Sequence, residues 1–269
     1  MAPTMSELLT DLVDETLVVD EMLTPLDDAA WERPTPAEGW RIRDQVSHLA
    51  YFDETAALSA TDPDRFRAGA EALAGRGDRF TDEIADEYRA LPPAQLREWF
   101  RTARRSLVET FAAVDPATRL PWYGPPMSAA SSITARLMET WAHGQDIADA
   151  LGVEREPTAR LRHVAHIGVR TFSFAFGLHG RPVPETPVRV ELSAPDGTTW
   201  TWGSEDDTAT ADTVRGPALD FCLVVTQRRH LLDTGLQVTG DVAAEWMSLA
   251  QAFAGPPGPG RAPSREVTR

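Results

Sequence analysis

The amino-acid sequence predicts a mainly α protein, a four-helix bundle followed by a small α/β part. Three observations predict it. Apolar residues recur every three or four positions in four long segments up to about residue 152, and stretches rich in Pro, Asp and Gly separate those segments. Beyond them, alternating β-type sequence is joined by an Asp-Gly turn signal. The expected organisation is a bundle over 1–152, an α/β domain over 153–254 and a disordered tail over 255–269, where Pro and Gly replace apolar residues.

In the first helix, "SELLTDLVDETLVVDEML", leucine and valine recur from Leu8 to Leu23, with Ser6 available as the cap. "TPLDDAAWERPTPAEGW" is a connection. The second helix starts between Arg41 and Asp44 and carries Val46, His48, Leu49, Phe52 and Ala56. A broken segment around "TDPDRFRAG" and "AGRGD" precedes the third, Ala94 to Val114, whose apolar stripe is Leu96, Trp99, Phe100, Leu107 and Phe111. After the turn "DPATRLPWYGPPMS", the fourth runs from Ser131 to Leu151 and stops at Gly152, a residue type that accepts the left-handed conformation found at helix ends. An amphipathic stretch from Thr158 to Leu178 leads to the hairpin "PVRVELS", "APDG", "TTWTWG". "GPALDFCLVVTQRRHLL" then reads as a helix, "TGLQVTG" as a short strand, and "DVAAEWMSLAQAFA" as a last helix opened by an Asp cap.

Composition narrows the function. The 269 residues carry a net charge of −15, which repels a nucleic-acid backbone or an anionic lipid surface, so the expected partner is a small-molecule substrate. No apolar run approaches the roughly 18 residues that span a bilayer, and the N-terminus lacks a signal-peptide pattern, so a cytoplasmic monomer or homodimer is expected. All 26 basic residues are arginine, which removes lysine Schiff-base and P-loop chemistry. The single cysteine, Cys222, sits in apolar "ALDFCLVVT" and reads as a buried, inert thiol.

In the fourth helix, "METWAHGQDIADALG" places Glu139, His143 and Asp146 at spacings of four and three, neighbours on one helix face about 5–6 Å apart at Cβ. Glu139 and His143 can converge on one ion, and His48, the other histidine of the bundle half, is the best third ligand. Asp146 can orient the second nitrogen of His143. The competing reading is a solvated polar face, with Leu137, Trp141, Gly144, Ala148 and Leu151 packed on the other side. His163 and His166 lack an acidic partner at ligand spacing, while His179 and His230 read as surface residues.

"EGWRIRDQVSHLAYFDE" and "LMETWAHGQDIADALG" resemble the two signature regions of the mycothiol-dependent maleylpyruvate isomerase family, a branch of the DinB-like four-helix metalloproteins. Gly39, Trp40, Asp44, His48 and Leu49 match the first region, and Glu139, His143, Asp146 and Ile147 match the second. The resemblance covers roughly residues 6 to 152 and implies His48, Glu139 and His143 as metal ligands. In one departure, Arg41 stands where members often have a capping Ser or Thr, leaving Asp44 to supply the cap.

A divalent metal on three protein ligands, most simply Zn2+, keeps an open position for chemistry. The resemblance implies mycothiol as co-substrate: its thiolate adds to an activated double bond of a small unsaturated acid, giving cis–trans isomerisation after elimination or an S-transferase product. Abundant Ala, Arg, Pro and Gly with no Lys or Asn point to G/C-rich coding DNA, which suits organisms that make mycothiol. An anionic substrate needs a positive partner, for which Arg79 is a candidate, with Trp122 and Tyr123 as walls; a surface arginine and packing aromatics are the alternative. Two other functions remain open: a thiol-independent metal-dependent hydrolase, cyclase or lyase, and a non-catalytic metal-binding protein.

Overall fold

The computed structural model describes residues 3–74, 77–203 and 212–264, in two compact units, Met1–Arg155 and Glu156–Arg269. In the first unit, α1 (Met5–Leu23) starts two residues earlier than Ser6 would allow. Thr4 caps it, accepting from the Glu7 backbone N–H at 3.3 Å while the Glu7 carboxylate takes the Thr4 N–H at 2.7 Å. A single turn, α2 (Asp28–Trp31), precedes α3 (Ile42–Thr61).

The segment expected to be broken instead forms two helices, α4 (Pro63–Ala74) and α5 (Phe80–Tyr88). The reason is local. Asp62 accepts from the Arg65 N–H at 3.1 Å and Pro63 stands at the first helical position, where its missing N–H costs nothing. Next come α6 (Pro93–Ala112) and the short strands β1 (Arg119–Leu120) and β2 (Met127–Ser128), paired antiparallel. The long α7 (Ala129–Leu151) ends at Gly152, which has φ +68°.

The helices α1, α3, α6 and α7 form the bundle, each packed on two of the others: α3 on α6 and α7, and α1 on α7 and α6. Val19 and Leu23 of α1, Val46, Leu49 and Ala50 of α3, Leu96 and Phe100 of α6 and Ile147 of α7 share one buried cluster. At Gly144 α1 and α7 approach closely: a Cβ there would stand 2.9 Å from Cγ2 of Val19. Arg155 belongs to this unit because its guanidinium pairs with buried Glu15 and donates to the Trp141 carbonyl.

Asp20 ties α1 to α6 by accepting from Arg97 and Arg101 at 2.7 to 2.9 Å. Burial pushes the Asp20 carboxyl up, but these two arginines outweigh it and hold it at about 2, below the ordinary 3.8. A depressed folded-state value stabilises the fold above the unfolded value, and that contribution disappears as pH falls from about 4 to 2. The melting temperature of Asp20→Asn should therefore lie below wild type at pH 7 and converge with it near pH 2; a gap independent of pH would contradict the ion pair's role.

In the second unit, the amphipathic stretch forms two helices that meet at Thr171, α8 (Leu161–Arg170) and α9 (Phe172–Leu178). The hairpin is present as β3 (Arg189–Ser193) and β4 (Thr199–Trp202), with Gly197 at φ +82° in its turn. A strand absent from the sequence reading, β5 (Thr213–Pro217), lies parallel to β3, and β6 (Gln237–Thr239) pairs antiparallel with β5. The helix expected over "GPALDFCLVVTQRRHLL" is shorter, α10 (Ala218–Val225), because Gln227 turns to φ +60°. In α11 (Asp241–Leu249), Asp241 is not the cap: Gly240 stands there, and Asp212 accepts the Ala243 N–H at 2.8 Å from across the fold. Of the expected disordered tail, 265–269 lie outside the described residues; Ser264 donates its N–H and hydroxyl to Asp233. His179 and His230 are half-buried rather than on the surface. No helix among the described residues is long and apolar enough to cross a membrane.

Candidate metal centre

His48 lies in the second turn of α3, and Glu139 and His143 lie one turn apart on α7. Because α3 packs against α7, the three side chains meet, offering one ligand atom each with all three atoms within 4.8 Å of one another. Oε2 of Glu139 is 3.0 Å from Nε2 of His143 and 3.5 Å from Nε2 of His48. Donors about 2.0–2.2 Å from an ion at tetrahedral angles stand about 3.3–3.6 Å apart, so the donor set fits a divalent cation. The solvated-face alternative fails on burial: α7 is buried nearly all round, with His143 at 8% and Asp146 at 1% exposure.

Hydrogen-bond directions fix which nitrogen of His143 faces inward. The Thr35 hydroxyl spends its proton on the Trp40 carbonyl at 2.9 Å, so toward Gln45 it can only accept. The Gln45 amide nitrogen donates to it at 2.8 Å, which turns the Gln45 amide oxygen toward Nδ1 of His143. Nδ1 must carry the proton. Nε2 is thereby left facing the Glu139 carboxylate, which Nε2 of His48 also faces, and a cation held by all three donors would sit there. The orienting place expected for Asp146 is therefore filled by Gln45, while Asp146 is buried on the same helix.

Electrostatics prepare the same donors. Burial, reinforced by the neighbouring His143, pushes the His48 imidazole down to about 3, so it is neutral at physiological pH and free to ligate without losing a proton. Burial pushes the Glu139 carboxyl up, yet the facing His143 and His48 imidazoles and the Arg136 charge hold it well below the usual carboxylate range.

The Gly-Trp pair of the first motif acquires a physical role. Gly39, at φ +77°, allows the turn that brings Trp40 over the site, where its ring stacks on His143 at 5.9 Å and tilts against His48 at 5.4 Å. The Trp40 indole N–H donates to Asp82 of α5 at 2.8 Å. Asp44 takes the backbone N–H of Arg41 at 2.8 Å, supplying the α3 cap that Arg41 cannot, and is itself clasped by Arg89 at 3.0 Å.

The other expected contacts separate. Arg79 is 82% exposed at its side chain and pairs with Asp82 at 3.7 Å. Trp122 and Tyr123 stand beside Phe52, Phe66 and Phe80 in an aromatic cluster, with Phe52 itself 4.6 Å from His48 between ring centroids. The positive charge that the fold buries next to the triad is Arg136, one turn before Glu139, which sequence reading missed among 26 arginines.

Known proteins resemble this chain in sequence and in fold. An uncharacterized protein of Mycobacterium tuberculosis, in strains CDC 1551 and H37Rv, is 46% identical over 253 residues, covering 94% of this chain and 97% of the relative. The crystal structure of a histidine-to-alanine mutant of the mycothiol-dependent maleylpyruvate isomerase has a TM-score of 0.58 at 17% identity, over 84% of this chain and 90% of that one. A second crystal structure of the mycothiol-dependent maleylpyruvate isomerase scores 0.56 at 17% identity, over 88% and 93%. That likeness is one of fold, a DinB-like bundle with an α/β part. The family model for the mycothiol maleylpyruvate isomerase N-terminal domain matches residues 12–148, just over half of the chain, and takes in every motif position from Gly39 to Ile147. The chain belongs to that family.

Proposed function

We propose that the protein is a mycothiol-dependent isomerase or S-transferase for a small activated unsaturated acid, working at a divalent metal, Zn2+ by preference, held by His48, Glu139 and His143. The observation that carries this reading is the convergence of three ligand atoms from α3 and α7 within 4.8 Å, with the directed chain Trp40, Thr35, Gln45, His143 turning Nε2 of His143 toward the Glu139 carboxylate 3.0 Å away. When bound, such an ion supplies Lewis acidity at an open position and favours the deprotonated form of a thiol. Trp40 stacks on the His143 ring and leans against that of His48, placing an apolar surface on that side of the donors.

The chain's own thiol is unsuited to the nucleophile's role. Cys222 is fully buried, donates to the Leu161 carbonyl, and is pushed well up from the ordinary thiol range by desolvation. An external thiol is required. Its thiolate adds to the β-carbon of the unsaturated acid; rotation about the resulting single bond and expulsion of the same thiolate restore the double bond with the other geometry. Retention of the sulfur with uptake of a proton gives the transferase outcome instead. Conversion of cis unsaturated acids by the metal-loaded protein should drop to the uncatalysed rate when mycothiol is withheld and return when it is added back. Equal rates with and without thiol would refute the proposal.

A further inference from the structure

A buried arginine stands beside the triad with nothing to bind. Arg136 is 4% exposed, and its guanidinium makes no hydrogen bond or ion pair among the described residues, Nη1 being buried without a partner. Buried cations are ordinarily paired, because an uncompensated charge in a low-dielectric site is costly. Two carboxylates are near enough to feel it but neither pairs with it, although the second oxygen of Asp53 is itself buried without a partner. Asp53 gives one oxygen to Arg104 at 2.7 Å, and Glu139 faces His48 and His143. Arg136 is therefore left without a hydrogen bond or ion pair to either.

Its surroundings shape that charge for a planar anion. The guanidinium carbon lies 5.8 Å from the Phe52 ring centroid and 5.9 Å from that of Trp122. Aromatic faces against a guanidinium hold its plane and leave the in-plane N–H edge, the fork that matches a carboxylate, free to donate. Phe52 is also the ring that touches His48, so one aromatic side chain borders both the arginine and a candidate ligand. On α7, Arg136, Glu139 and His143 follow at spacings of three and four, hence on one face.

We infer that Arg136 is the carboxylate-binding residue of this site, gripping an acid group of a small planar substrate between Phe52 and Trp122 while its double bond lies toward His48, Glu139 and His143. This rests on the proposed function for the identity of the reacting part, and on Arg136 itself for the anionic end. It also replaces exposed Arg79 as the positive partner.

The test is calorimetric binding of maleate to the metal-loaded protein with no thiol present, in wild type, Arg136→Gln and Arg136→Lys, with dimethyl maleate as the uncharged counterpart. Wild type should bind maleate, and Arg136→Gln should weaken it by about tenfold to a hundredfold, the loss expected for charge-assisted hydrogen bonds, with Arg136→Lys in between. Dimethyl maleate should bind wild type at least tenfold more weakly than maleate, a comparison that needs no variant to fold. Equal binding of the two ligands by wild type, no maleate binding at all, or unchanged affinity in a folded Arg136→Gln overturns the inference. Because thiol is absent, the two claims fail separately: maleate binding lost in Arg136→Gln without thiol-dependent turnover refutes only the reaction, and thiol-dependent turnover with an unchanged KM in Arg136→Gln refutes only the anion site.

Discussion

Glu139→Ala and His48→Ala should each lose the bound metal: elemental analysis should give about one equivalent per chain for wild type and near none for either variant, since two remaining donors cannot hold a divalent ion at a three-ligand site. The two changes act from different helices, His48 from α3 and Glu139 from α7, so parallel losses would demonstrate that both contribute to one centre. Thermal melting gives an independent reading. A ligand at about a hundred times its Kd stabilises by about 2.7 kcal/mol, so added Zn2+ should raise the wild-type melting temperature and leave both variants unmoved. Gln45→Leu should retain the site but weaken it about 10- to 100-fold, because the outer hydrogen bond to His143 disappears while every donor stays. Full metal occupancy in Glu139→Ala and His48→Ala would rule the centre out.

The second large effect is expected at Arg104, whose buried guanidinium joins all four bundle helices. From α6 it donates to Asp53 of α3 at 2.7 Å, to the Thr16 hydroxyl of α1 at 2.7 Å and to the Thr140 hydroxyl of α7 at 2.9 Å. Both hydroxyls already spend their protons on carbonyls one turn back, those of Leu12 and Arg136, so only their lone pairs face the arginine. Arg104→Met keeps the volume but strands Asp53, which is fully buried, and should cost about 3–5 kcal/mol in denaturant unfolding. Arg104→Met combined with Asp53→Leu should recover most of that loss, because the stranded charge goes too. A single variant within about 0.5 kcal/mol of wild type would mean that the network is incidental.

What the sequence revealed depended on how local the determining physics was. Glu139 and His143 were legible because helical spacing alone makes them neighbours, and Gly152 because a helix end needs its left-handed conformation. Asp44 was legible as the substitute cap, since only a side chain three residues on can reach the first N–H. The Asp62-Pro63 pair carried an equally local signal for α4, outweighed in the sequence reading by the Pro and Gly around it. Gln45 carried none. Its role depends on His143, 98 residues away, and any polar residue on that turn of α3 reads alike. Arg136 was hidden for the same reason: its distinction is the lack of a partner, a property only the packed bundle defines. β5 was missed because "TVRGP" alternates poorly and ends in proline, and its place is set by pairing with β3 and β6.

The bare backbone of Gly144 adjoins His143. With no side chain to act as a spacer, Val19 of α1 presses onto α7 there, and any larger residue would have to wedge the two rods apart. The turn carrying one imidazole is thereby backed directly by α1. Any ion taken by the three donors would meet a frame set in part from α1, a helix that contributes none of them.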